Sequence, residues 1–225
     1  MLYENECGNM AGKKIKDKNL IVYPNKIYYI DKPELYLLHK YGSILSNARM
    51  LDIGIGFGRT TNYFSEVTKE YVGIDIQAES VEFCKQKFKH LQNAKFYACD
   101  ARQMKIFEDN YFDIILFSFN GIDYVSHNDR LLILKEINRV CKKSGIIYFS
   151  THNLQSIDDL VSFKFSSDIF ELIYLLKRKI LFKRKNPEIN NIVKNFLNME
   201  YAIICDGAQN FKLNNYYITP EKQIN

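Results

Sequence analysis

Five short apolar runs decide what this chain can fold into. They are "ARMLDI" ending at Ile53, "YVGIDI" ending at Ile76, "AKFYACD" ending at Asp100, "FDIILFSF" ending at Phe119 and "IIYFS" ending at Ser150. Each has the length and β-branched or aromatic content of a strand buried on both faces. Helical stretches separate most of them: "RTTNYFSEVTK", "AESVEFCKQKFKHL" and "NDRLLILKEINRVCKK", with a short helix or loop through Met104 after the third run. Parallel strands need crossovers of this kind, so the alternation predicts an α/β fold with a doubly wound parallel sheet.

The flanks read differently. Residues 1–19 are polar and expected to fray, and residues 20–47 form an N-terminal cap. In that cap "LIVYPNKIYYI" reads as an extended tract, followed by a helix that starts near Pro33 and that Gly42 is expected to end. The core is assigned to residues 48–153, with Gly145 expected to cap its last helix. Residues 154–225 carry a helical insertion over 156–198 and then a β-hairpin, "YAIICDGAQNFKLNNYYI". Thr219 and Pro220 have the pattern of a helix cap and first turn, so the chain is expected to be C-terminally shortened.

Charge and cysteine usage narrow the function classes. The net charge of +5 suits an anionic small molecule but falls short of a nucleic-acid-binding surface. The five cysteines form no Cys-x-x-Cys pair, so neither a disulfide frame nor a zinc site is expected. The N-terminus lacks the apolar core of a signal peptide, and no run is long enough to span a bilayer. The expectation is a cytoplasmic protein with no stable membrane insertion, compatible with a homodimer.

The first apolar run breaks into "LDIGIGFGRT", in which Gly54, Gly56 and Gly58 alternate with side chains. A dinucleotide loop reads G-x-G-x-x-G and rests a pyrophosphate on the following helix. Here its third glycine would fall on Arg59, and Asp52 would repel a pyrophosphate. That carboxylate suits a ligand carrying an ammonium and a sulfonium. S-adenosylmethionine has both, and Arg59 could meet its single carboxylate.

On these residues the region from Met50 to Ser150 resembles the class I S-adenosylmethionine-dependent methyltransferases, with a Rossmann-like fold. The resemblance implies that Asp75 accepts both ribose hydroxyls, with Ile76 beside it. It implies that Asp100 accepts the adenine amino group, flanked by Ala101 and Arg102, and that Ser118 and Phe119 complete the cofactor site. It also implies that the last two strands of the family fold are missing, with S-adenosylhomocysteine as the product.

For the acceptor, the loop "FNGIDYVSH" and the end of the fifth run are the places to look. A hydroxyl acceptor needs a base titrating near neutrality. His127 is the first candidate, His152 the second, and Tyr124 an orienting group. Asn120, Asp123 and Asn153 are candidate substrate contacts, and their spacing matches no metal pattern, so no metal is expected. The absence of an (Asn/Asp)-Pro-Pro-aromatic motif argues against a nucleobase acceptor. The chain is similar overall to small-molecule methyltransferases of bacterial capsule and surface-polysaccharide gene clusters. That likeness implies a sugar, nucleotide-linked or phosphoramidate acceptor. The alternatives are N-methylation of an amino sugar or another metabolite, a SAM-binding partner subunit without catalysis, and a nicotinamide oxidoreductase. Finally, "KRKILFKRK" reads as the solvated face of a cap helix, or as a contact for an anionic ligand or membrane surface.

Overall fold

The computed structural model describes residues 30–162, 165–208 and 210–224. The expected fraying of 1–19 and most of the extended tract after Leu20 lie outside these residues. Five strands, β1 (Arg49–Ile53), β2 (Glu70–Asp75), β3 (Ala94–Ala98), β4 (Phe112–Phe117) and β5 (Cys141–Phe149), form one parallel sheet in the order β3-β2-β1-β4-β5. The order reverses between β1 and its neighbours, with Asp52 level with Gly73 of β2 and Leu116 of β4. That reversal opens a crevice beyond the carboxyl ends of the strands, where open α/β sheets bind ligands.

Strand alternation sorts the core into two layers. Met50, Tyr71, Ile114 and Leu116 face helices α1 (Lys32–Leu45), α2 (Thr61–Val67) and α3 (Ala78–Lys87), and they pack with Leu37, Phe64 and Cys84. Leu51, Val72, Ile115 and Phe117 face the other way, onto Ile133, Ile137 and Val140 of α4 (His127–Val140). All of these side chains are at most 6 % exposed. Each fully buried aliphatic side chain contributes roughly 1.5–3 kcal/mol, so the two layers dominate the stability of the sheet.

Two helix ends depart from the sequence reading. Gly42 does not end α1, which runs on to Leu45 because Leu45 is fully buried beneath the sheet. Gly145 does not cap α4 either. The helix stops at Val140, and Cys141 already pairs with Phe112. Gly145 lies inside β5, beside the register shift between Phe112 and Ile114, where a Cβ would sit 2.6 Å from Cys141 Sγ and 2.9 Å from the Lys142 carbonyl. Close backbone approach is what selects glycine there.

Beyond β5 the chain builds a second, smaller unit. A two-residue strand β6 (His152–Asn153) leads into α5 (Ile157–Val161), α6 (Ile169–Lys185) and α7 (Ile189–Asn195), which answer the helical reading of 156–198. β7 (Tyr201–Ile204) and β8 (Asn215–Ile218) form the expected antiparallel hairpin, and β8 also pairs in parallel with β6. A short helix α8 (Pro220–Ile224) follows Thr219, whose carbonyl accepts from the Lys222 and Gln223 amides. Leu154, Ile157, Phe182, Ile192, Ile204 and Tyr217 form this unit's own core. Pairing β8 to β6 sets the hairpin directly beside the end of β5. No helix among the described residues is long and apolar enough to cross a membrane.

Candidate active site

The turn after β1 is a glycine loop held by β2. Gly54, Gly56 and Gly58 all have positive φ, at 72°, 49° and 75°. Gly58 is the most constrained, because a Cβ there would collide with the Phe88 ring and crowd Cys84 Sγ. The Gly54 and Ile55 amides donate to the Ile74 carbonyl, and the Gly56 amide donates to Asp75 Oδ2 at 2.9 Å. Asp75 Oδ1 accepts from the Gln77 amide at 2.9 Å, so this carboxylate organises the loop and the start of α3 together. A Cβ on Gly56 would meet nothing within 4 Å, so bare backbone borders open space. Ile76, 66 % exposed, lies next to it. Bare backbone at Gly56 beside a strand-end carboxylate fits the nucleoside and amino-acid parts of S-adenosylmethionine.

Asp52 is placed differently from its sequence reading. It is 1 % exposed and accepts hydrogen bonds from Thr60 Oγ1 and from Tyr71 OH at 2.6 Å. Burial pushes its pKa up to about 6, against the opposing effect of those two hydrogen bonds. The buried carboxylate braces the loop from beneath. Arg59 forms a bidentate pair with Glu34 of α1 at 2.6 Å and reaches Ser118 Oγ at 3.2 Å. Its guanidinium also lies 5.2 Å from the centre of the Phe119 ring. Glu34 is 1 % exposed, and its partnership with Arg59 was not legible in sequence, because the two residues meet only when α1 folds over the sheet.

At the end of β3, Asp100 is clasped by Arg102. The Arg102 amide and Nε donate to Oδ1, and Nη2 donates to Oδ2 at 2.6 Å. These hydrogen bonds hold the Asp100 carboxyl below its ordinary pKa. Arg102 also reaches Asp129 at 3.1 Å, and Ala101 is half-buried beside it. Asp75 and Asp100 therefore stand at the carboxyl ends of adjacent strands.

The ends of β4 and β5 converge on a second constellation. Phe119 and Asn120 are consecutive residues in left-handed conformation, each with φ of 56°. Non-glycine residues pay for that geometry with strain of order 1–3 kcal/mol, and such sites concentrate where function fixes a turn. The Asn120 amide donates to Ser150 Oγ at 2.7 Å. In the 3-10 turn that follows (Gly121–Tyr124), Asp123 is fully buried. It pairs with Arg130, itself 2 % exposed, and accepts from Thr151 Oγ1 at 2.7 Å. Its other oxygen takes the His152 amide and His152 Nδ1, both at 2.7 Å.

A carboxylate is an acceptor, so Nδ1 donates to Asp123 and Nε2 faces the other way. The Asn120 side-chain amide nitrogen lies 3.2 Å from Nε2. The ring packs on Tyr217 with centroids 4.8 Å apart, and Asp206 Oδ2 lies 4.0 Å from Nε2. Asp206 Oδ2 accepts from Tyr217 OH at 2.7 Å and from Asn215 Nδ2 at 2.6 Å. Although burial opposes its charge, hydrogen bonds from Tyr217, Ala208 and Asn215 keep Asp206 below its ordinary pKa. The sequence reading treated the Asp206–Gly207 step only as turn chemistry.

The other candidates are placed elsewhere. His127 opens α4, but its ring stacks on Tyr201 at 4.4 Å and 7°, and Nδ1 bonds Tyr216 OH at 2.8 Å. These contacts fasten α4 to the C-terminal hairpin. Tyr124 is 47 % exposed at the end of the 3-10 turn. Asn153 caps the next turn, with Oδ1 accepting from the Gln155 amide at 2.9 Å. Of the expected substrate contacts, Asn120 and Asp123 thus meet His152, while Asn153 turns to its own chain neighbours. Among the described residues, no group of three or more His, Cys, Asp or Glu side chains is placed to hold a metal ion.

Comparison with known proteins places this geometry. Residues 51–149 match the methyltransferase domain family. The uncharacterized methyltransferase YcgJ of Bacillus subtilis is 30% identical over 139 residues, 60% of this chain and 53% of its own length. The demethylmenaquinone methyltransferase of Staphylococcus saprophyticus is 30% identical over 142 residues, 62% of this chain and 57% of its own. The chain spans about half the length of the relatives it matches. Among solved structures, an S-adenosylmethionine-dependent methyltransferase from Clostridium acetobutylicum superposes with a TM-score of 0.53. That match has 18% identity and covers 74% of this chain and 65% of the other, a likeness of fold.

Proposed function

We infer that this chain, whose residues 51–149 match the methyltransferase domain family, is a class I methyltransferase that transfers a methyl group from S-adenosylmethionine to a small-molecule acceptor, with His152 as general base. The cofactor supplies an electrophilic methyl on a sulfonium, with a thioether as leaving group. The chain's own residues bind, orient and move a proton. The glycine loop and Asp75 seat the ribose and methionine portions. Arg59, aligned by Glu34 and Ser118, meets the carboxylate, and Asp100 and Ala101 face the adenine. Ile76, Ser118 and Phe119 line the same crevice.

The observation that carries the acceptor half is the buried Asp123–His152 pair at the ends of β4 and β5. A hydroxyl must lose its proton as the new bond forms, and an imidazole with a fixed lone pair can take it. Asp123 holds the productive tautomer and stabilises the imidazolium that results, as Arg130 and Thr151 hold Asp123 in turn. Asn120 and Asp206 border Nε2 and contact the acceptor. A sugar or nucleotide-linked intermediate, the acceptor suggested by the likeness to capsule-cluster methyltransferases, carries the hydroxyl that this site requires. Cytoplasmic residence belongs to the same reading, which the free thiols of Cys84, Cys99, Cys141 and Cys205 support.

A second reading is favoured by Asp206. Two acceptors 4.0 Å apart, Nε2 and Oδ2, suit a group with two N–H donors, so an amine is the alternative to a hydroxyl.

The test is methyl transfer from labelled S-adenosylmethionine to a panel of sugars, amino sugars and nucleotide-linked sugars, followed as a pH profile. His152→Gln is expected to lower kcat by about 10²–10⁴-fold and to remove the acidic limb of the profile. Full activity of that variant on the best acceptor would exclude His152 as the base.

A further inference from the structure

Helix α6 is the least explained element of the second unit. It touches the protein through one face only, with Phe182 buried and Leu172 and Leu175 half-buried. Beside that face run Ile169, Ile173, Leu176 and Ile180, at spacings of four, three and four residues. They are 60 %, 43 %, 45 % and 60 % exposed, and Phe170 adds a ring that is 81 % exposed. Positions spaced this way lie on one stripe of a helix, so the exposure is a continuous apolar ridge.

The C-terminal half of the helix is cationic. Lys177, Arg178, Lys179, Lys183, Arg184 and Lys185 occupy the last nine residues of α6 with no acid among them. Lys177 follows Ile173 by four residues, and Arg184 follows Ile180 by four, so these cations flank the ridge. None of the ion pairs among the described residues involves Lys177, Lys183, Arg184 or Lys185. Arg178 instead turns inward, its guanidinium 4.9 Å from the centre of the Phe211 ring. A Cβ on Gly207 would collide with it. The helix is thereby fastened to the β7–β8 loop that carries Asp206.

We propose that α6 is a peripheral docking helix for an anionic lipid surface, its apolar ridge entering the headgroup boundary and its cations meeting lipid phosphates. Charge decides between this occupant and a second copy of the chain. Two α6 helices packed antiparallel would set Lys177, Lys183, Arg184 and Lys185 against Asp168 and Glu171, leaving half of that positive charge unmatched. An extended anionic surface matches all of it, and ridge and cations then act in the same plane.

The experiment is flotation of the full chain with vesicles of phosphatidylcholine alone and with about one third phosphatidylglycerol. Binding to the anionic vesicles should be at least about tenfold tighter and should weaken as salt shortens the Debye length. The triple variant Lys183→Glu, Arg184→Glu, Lys185→Glu should lose about tenfold or more of that binding. Ile173→Ser with Ile180→Ser should weaken it separately, with circular dichroism unchanged in both variants. The proposal is overturned by an absence of flotation with anionic vesicles, or by equal flotation of the charge-reversed variant. It is equally overturned by a dimer in sedimentation that the same substitutions dissociate without any vesicle binding.

Discussion

Replacing Asp123 by Asn tests the buried network on which the acceptor site rests. The carboxylate is fully buried and joined to Arg130, Thr151, the His152 amide and His152 Nδ1. Removing one partner of a buried ion pair costs about 3–5 kcal/mol, because the other charge is left uncompensated. Arg130 would keep the Ile122 carbonyl at 3.2 Å, Thr151 at 3.1 Å, Gln223 at 2.6 Å and the Tyr216 ring at 4.6 Å. The loss therefore belongs near the lower end, about 3 kcal/mol, or roughly 6–12 °C in Tm for a chain of this size. Urea unfolding by circular dichroism at neutral pH measures it. The control is Asp109→Asn, which removes an exposed pair with Arg139 and should cost less than about 1 kcal/mol. The same Asp123 variant should release the His152 tautomer, which ring-nitrogen NMR shifts report directly. Stability within about 0.5 kcal/mol of the parent, with an unchanged tautomer, would refute the reasoning.

Two further perturbations probe the cofactor loop. Gly58→Ala forces a side chain into a left-handed backbone at φ 75° and against Phe88, so thermal melting should show a loss of about 2–4 kcal/mol. An unchanged Tm would mean that the loop does not hold this geometry. Asp52 has a folded-state pKa raised to about 6, so its ionisation disfavours the fold above that pH, and the penalty fades as pH falls toward its ordinary value near 4. The stability of the parent minus that of Asp52→Asn should rise by roughly 3 kcal/mol from pH 8 to pH 4, two pKa units at about 1.4 kcal/mol each. A flat difference across that range would contradict a buried, destabilised carboxylate.

The sheet was legible because each strand announces itself over a few consecutive residues rich in apolar β-branched or aromatic side chains, the first three with an acid at or next to the end. The hairpin at 201–218 and the helix after Thr219 were legible for the same local reason. The helix ends were not. Gly42 is a local stop signal, overridden by the burial of Leu45, and Gly145 is a cap-like residue that a strand bend required instead. The strand-end positions of Asp75 and Asp100 were legible, whereas the burial of Asp52 was not, because only the fold brings Tyr71 and Thr60 onto it. The sequence placed His127 ahead of His152 as the candidate base, and long-range partners reverse that order. Tyr201 and Tyr216 hold His127, while Asp123 and Asp206 frame His152. Arg130 and Asp206 were missed because nothing within their own segments signals a partner across the fold.

Calorimetric titration with S-adenosylhomocysteine checks whether the glycine loop and Asp75 seat S-adenosylmethionine. One site per chain is expected, with no heat from NAD and affinity weakened about tenfold or more by Asp75→Asn, whose amide would face the same amides and ribose hydroxyls. Binding of NAD without S-adenosylhomocysteine, or S-adenosylhomocysteine binding indifferent to Asp75→Asn, would contradict that seating.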